Sequence, residues 1–166
     1  MDYHLHVAPF AFLIGTWHGE GHGHYPTISD FRYIETVTFT ALPGKPFLRY
    51  EQRTRHLDTG APMHTELGFL RPQPDGSIEL ILAQPTGQTE LLHGTAELID
   101  DRATLTFDES TVSNSRTSKP VESTARTYSI DGDVLTTTFD MAAAGQPSQR
   151  HLDSVLRKAE VDGADD

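Results

Sequence analysis

The chain contains no cysteine, and that single absence removes several chemistries at once. Without thiols there is no disulfide, no thiolate nucleophile, no zinc finger and no iron–sulfur cluster. Cations are scarce as well. Thirteen Lys and Arg face 24 Asp and Glu, for a formal net charge of −11, and they form no cluster. Nucleic-acid binding rests on clustered cations that neutralise phosphates, so nucleic acid is not expected as a partner. No apolar run approaches the roughly 20 residues of a membrane helix, and no basic, apolar leader opens the sequence. A soluble, cytoplasmic protein without a membrane partner is expected. A Gly-x-Ser-x-Gly elbow is missing, as is a glycine loop leading into a helix N-terminus. Nothing points to a catalytic carboxylate pair, because the acidic residues are expected on outer strand faces or in turns.

What the chain does have is strand after strand. Its 166 residues suit one domain that can bury roughly 70% of its unfolded surface without a staple. Phe31, Tyr33, Val37 and Phe39 alternate with Arg32, Thr36, Thr38 and Thr40, the period-two pattern of a half-buried strand. Turns rich in Gly, Pro and Asp recur, as at Pro74-Asp75-Gly76 and Asp131-Gly132-Asp133. Nine or ten short strands and no long helix predict a closed antiparallel barrel with an internal cavity, a sandwich being the competitor. Thr111 to Pro120 reads as a mobile loop and Ala142 to Gln149 as another, while His151 to Lys158 suits either a strand or a short helix. Residues 1–13 are expected to close one barrel end, and 159–166 to form a disordered acidic tail.

Gly15 to Ile28 organises the rest. One face carries Trp17, Gly19, Gly21, Gly23 and Tyr25; the other carries Thr16, His18, Glu20, His22 and His24. Three glycines in register on a strand mark a close approach to the backbone, by a flat ligand or at a sharply bent barrel corner. His18, His22 and His24 share a face by spacing, which suits either a transition metal or plain solvation.

This stretch resembles the signature of the nitrobindin family, haem-binding β-barrels, at Gly15-x-Trp17-x-Gly19-x-Gly21-x-Gly23-x-Tyr25-Pro26-Thr27-Ile28. Further matches are Gly60-Ala61-Pro62-Met63-His64, Gly68-Phe69-Leu70-Arg71-Pro72, and Gln146-Pro147 before His151-Leu152. The resemblance runs from about Phe12 to Lys158 and implies a ten-stranded barrel over 14–158, similar to lipocalins and fatty-acid-binding proteins. It also implies one haem b per chain, peroxynitrite isomerised to nitrate at a ferric haem, and binding of nitric oxide. By the same resemblance His151 is the proximal axial ligand and so the catalytic and metal residue, while Thr27, Met63, His64 and Met141 border the haem. His64 would meet the haem edge or a propionate, or be a hydrogen-bonded pocket histidine. Family members tend to carry threonines where this chain has Ala142-Ala143-Ala144-Gly145, which removes hydroxyls from the proximal side. Other readings of the same cavity are a non-haem carrier of an apolar ligand such as a fatty acid, and a nitric-oxide sensor or haem store without turnover. A monomer or weak homodimer is expected.

Overall fold

Each apolar-and-polar alternation in the sequence becomes one strand of a single sheet. The computed structural model describes residues 3–100 and 102–160; most of the expected acidic tail, 161–166, lies outside the described residues. The strands are β1 (Gly15–Tyr25), β2 (Ile28–Ala41), β3 (Leu48–His56), β4 (Pro62–Pro72), β5 (Ser77–Ala83), β6 (Gln88–Ile99), β7 (Arg102–Asn114), β8 (Val121–Asp131), β9 (Val134–Ala143) and β10 (Gln149–Lys158). Each pairs antiparallel with the next, and β1 also pairs with β10, so the sheet closes into a ten-stranded barrel without a free edge. A 3₁₀ helix, Ala8–Leu13, precedes β1 and sinks Val7, Phe10 and Leu13 into the core.

The ambiguous segment after His151 is the closing strand β10, zipped to β1 from Trp17 opposite Lys158 to Gly23 opposite Leu152. Two expected loops are shorter than their composition suggests. β7 runs on to Asn114 because Thr111, Val112 and Ser113 keep pairing with β6. Asn114 then ties the start of β8, accepting from Val121 N at 3.0 Å and donating to its carbonyl at 2.9 Å. β9 likewise continues to Ala143, and β10 begins at Gln149.

The glycine stripe of β1 makes room for the protein's own atoms. A Cβ on Gly23 would strike the Phe31 ring, and one on Gly21 the Tyr33 ring. At Gly19 the obstacle is the backbone of Val155 and Leu156 on β10. The close approach comes from the protein itself: two aromatic side chains of β2 reach over β1, and β10 crowds it at Gly19. Trp17 does not face a ligand either. It is fully buried, and its Nε1 donates to the Leu13 carbonyl at 2.9 Å. Around it Val37, Phe39, Leu48, Leu80, Leu105, Phe107 and Leu156 make an apolar floor that fills one half of the lumen.

Candidate functional site

The other half of the lumen, at the end where β1 turns into β2, is a cavity of about 640 Å³. His151 stands in its wall. β10 carries the residue inward beside a register irregularity between Arg150 and Leu152, and three rings box it in. Tyr25 lies 5.3 Å away between ring centroids, Phe139 6.0 Å and Phe31 6.4 Å. Its Nδ1 is 3.0 Å from the carbonyl oxygen of His24. A carbonyl can only accept, so the Nδ1 hydrogen is committed there and Nε2 keeps its lone pair. Burial lowers the pKa of the ring below the ordinary histidine value, helped by nearby His24 and His64 and opposed by the bond to the His24 carbonyl. The site thus presents a neutral, oriented imidazole.

The wall behind it is set by Tyr25. Its hydroxyl accepts from Ala143 N–H at 3.0 Å and lies within donating range of the carbonyls of Ala143, 3.2 Å, and Met141, 3.3 Å. Backbone groups do this work, so the alanines after Met141 need no hydroxyl to hold the strand end in place.

Thr27, Met63, His64, Met141 and His151 all line the one cavity. Thr27 and Met63 sit exposed at the rim, and Met141 is half-buried. His64 turns down rather than out. Its Nε2 is 3.6 Å from Glu66 Oε2, and its backbone N donates to Thr54 Oγ1 at 3.0 Å. Lys119 is also on the rim, a cation in the serine-rich stretch that sequence reading treats only as loop.

The expectation that the acidic residues sit outside or in turns is wrong for three of them. Glu35, Glu66 and Glu90 point into the lumen with Arg126, all nearly fully buried. Arg126 grips Glu66 with both terminal nitrogens, at 2.6 and 3.0 Å, and Glu90 at 2.8 Å. Tyr50 donates to Glu66 at 3.0 Å and Thr124 to Glu90 at 2.6 Å. Gln84 also bonds Glu90, and Gln52 Nε2 donates to Glu35 at 3.1 Å. Burial alone would push Glu66 up, but the Arg126 charge and its hydrogen bonds, with His64 beside it, outweigh that and hold it at about 2. With Ser154 and Thr137, these side chains form a polar belt that divides the cavity from the apolar floor.

The histidines of the outer β1 face do not assemble. His18 Nδ1 bonds Thr36 Oγ1 at 3.0 Å, His22 lies 3.7 Å from Asp153, and no group of three or more metal-ligating side chains occurs among the described residues. That face is solvated.

A family model described as the THAP4-like, heme-binding beta-barrel domain matches residues 6–158. The chain belongs to this family, the nitrobindins. Among curated relatives, a peroxynitrite isomerase of Nocardia farcinica is 45% identical over 93% of this chain and 92% of its own length. Peroxynitrite isomerase 2 of Mycobacterium avium is 44% identical over 95% of this chain and 97% of its own. Among solved structures, Rv2717c from M. tuberculosis superposes with a TM-score of 0.92 at 40% identity, covering 96% of this chain and all of that one.

The wall of this nitrobindin suits the group in the family description. It offers one neutral nitrogen donor with a fixed tautomer, flanking aromatic rings, and a cavity within the roughly 300–1,000 Å³ typical of ligand and cofactor sites.

Proposed function

We propose that this nitrobindin holds haem b through Nε2 of His151 and isomerises peroxynitrite to nitrate in the cavity, where it can also bind nitric oxide. The observation that carries the reading is the bond from His151 Nδ1 to the His24 carbonyl, because it leaves Nε2 as an oriented donor to iron. When bound, haem would supply a Lewis-acidic ferric iron able to take peroxynitrite and rearrange it to nitrate.

The chain's own contribution is positional. The His24 carbonyl fixes the tautomer and plane of His151, and Tyr25, Phe31 and Phe139 prevent the ring from turning. Met141, Leu152 and Phe139 give an apolar wall that keeps reactive fragments together, and Thr27 and Met63 border the mouth. Lys119 at the rim would offer a cation to a propionate. Isomerisation moves no net proton, so no acid–base pair is required of the wall. Its partners are small molecules, its place the cytoplasm, and its form a monomer or weak homodimer; among the described residues no helix is long and apolar enough to cross a membrane.

A fatty-acid carrier that held its carboxylate deep in the lumen would need a free cation there. Arg126 is already gripped between Glu66 and Glu90, which disfavours that reading. A sensor or store would share the haem and lack the turnover. Haemin titration followed in the Soret band, with His151→Ala beside the parent, tests the ligand. Stopped-flow decay of peroxynitrite then tests the activity: a rate no greater than that of free haemin rules out the isomerase.

A further inference from the structure

The polar belt holds more acid than base. Three carboxylates, Glu35, Glu66 and Glu90, face one guanidinium, and of the three Arg126 forms ion pairs with Glu66 and Glu90. Glu35 is left to neutral partners: Gln52 Nε2 donates to Glu35 Oε1 at 3.1 Å, and the hydroxyl of Ser154, bonded to Thr137 Oγ1 at 2.5 Å, stands beside it. The two remaining oxygens of this pair, Glu35 Oε2 and Gln52 Oε1, are buried and without a partner among the described residues. Both are acceptors when Glu35 is ionised, and two acceptors cannot satisfy each other. A hydrogen on Glu35 would turn one of these acceptors into a donor. It also removes an uncompensated charge from a lumen where Glu66, Glu90 and Arg126 already sum to −1.

We propose that Glu35 is a specificity-determining residue of the cavity: held as a carboxylic acid against Gln52, it lets the lumen admit a small anion that an ionised Glu35 would repel. The proposal deepens the reading above, since peroxynitrite is such an anion at neutral to alkaline pH, and its second test rests on that reading. Glu35 and His151 line the same cavity, and a buried charge acts across it without contact. The groups acting on Glu35 are Tyr33 on its own strand, Gln52 and Tyr50 from β3, Glu66 from β4, Arg126 from β8 and Ser154 from β10. Burial raises the Glu35 pKa and Glu66 adds to the rise, whereas Ser154, Gln52 and Arg126 oppose it; the balance is upward. Tyr33 is raised too, by burial first and then by Glu35 and Asp153, so it stays neutral and adds no charge.

The first test needs no substitution. Carbon-13 spectra of glutamate-labelled protein, with Glu35→Gln used to assign the signal, follow each side-chain carboxyl against pH. Glu35 should take up its proton at a higher pH than the ordinary glutamate value of 4.5, and at a higher pH than the exposed glutamates of the same protein. A Glu35 signal that titrates at or below the ordinary glutamate value overturns the proposal. The second test compares azide, an anion, with nitric oxide, a neutral ligand, on haemin-loaded protein. Raising the pH through the Glu35 midpoint should weaken azide several-fold in the parent, not in Glu35→Gln, and leave nitric oxide alone. Coincident azide profiles overturn it. Failure to load haemin would sink the haem reading instead, and nitrate titrated into the labelled apo-protein then gives the same comparison. Nitrate shifts that weaken equally with pH in both proteins overturn the proposal.

Discussion

Nδ1 of His151 reaches across the seam between the last and first strands to the carbonyl oxygen of His24, 3.0 Å away. The two residues are 127 positions apart in sequence, and only closure of the barrel through β1 and β10 brings them together. The imidazole orientation is therefore a property of the closed barrel rather than of any local motif.

Replacing the imidazole should abolish ordered haem binding. His151→Ala is expected to weaken haemin by more than the 10–100-fold typical of losing a supporting contact. Added imidazole should restore part of the Soret shift. Burial keeps the native ring neutral below the ordinary value of about 6.5, while the unfolded chain takes up its proton there. The unfolded state then binds more protons. Apo-protein stability should therefore fall as pH drops from about 6.5 towards the native pKa, and His151→Ala should flatten that part of the profile.

Tyr25 should behave as the support of that wall. Tyr25→Phe removes the partner of Ala143 N–H and of the carbonyls of Ala143 and Met141. A loss of about 1–2 kcal/mol is expected, lowering the melting temperature by roughly 2–8 °C. Haemin affinity should drop modestly while the Soret position, set by His151, stays where it was.

Gly23→Ala should damage the site by overpacking. The new methyl meets the Phe31 ring, which flanks His151. A cost of about 1–3 kcal/mol in urea unfolding is expected, with Gly23→Ala/Phe31→Leu recovering much of it.

Breaking the internal ion cluster should be among the costliest single changes. Arg126→Met strands Glu66 and Glu90 in the lumen and should lose roughly 3–5 kcal/mol, whereas Arg126→Met/Glu66→Gln/Glu90→Gln should regain most of it. The Glu66 carboxyl is held at about 2 against an ordinary 4.5. Its stabilising contribution is thus whole above about pH 4.5 and disappears as pH falls towards 2. A urea-midpoint profile against pH for the parent and the triple variant reads this directly.

Lys119→Ala tests the rim. If a propionate pairs there, haemin affinity falls by at most about fivefold at low ionic strength, since exposed pairs contribute about 0.2–1 kcal/mol. The difference between the two proteins should vanish in high salt. Equal affinities at low salt remove Lys119 from the site.

The barrel itself was legible because period-two alternation and Gly-Pro-Asp turns speak for each strand separately, without reference to the rest of the fold. The serine-rich end of β7 was not. Its polarity suggested a loop, yet a strand with one wet face and an interior cavity on the other can be polar on both sides. The belt was the larger omission, and its signal was present. Glu35 shares its parity with Tyr33, Val37 and Phe39, Gln52 with Leu48 and Tyr50, and Arg126 with Tyr128 and Ile130. A charged residue in step with buried apolar ones points inward. What no single strand could disclose is that Glu66, Glu90 and Arg126, from three separate strands, meet at one height in the lumen.

That belt partitions the molecule into two working halves. Phe31 at the cavity and Phe39 at the floor are eight residues apart on β2, about 26 Å of strand, with the belt between them. Substitutions at these two positions lie well beyond the roughly 7–10 Å over which mutational effects couple, so their effects on stability should add. Lineages could then exchange the lining of the mouth, and with it the ligand, while Trp17 and its neighbours went on supplying the folding energy. The barrel is in that sense a foundation and a workshop kept on separate floors, and either can be rebuilt while the other stays in use.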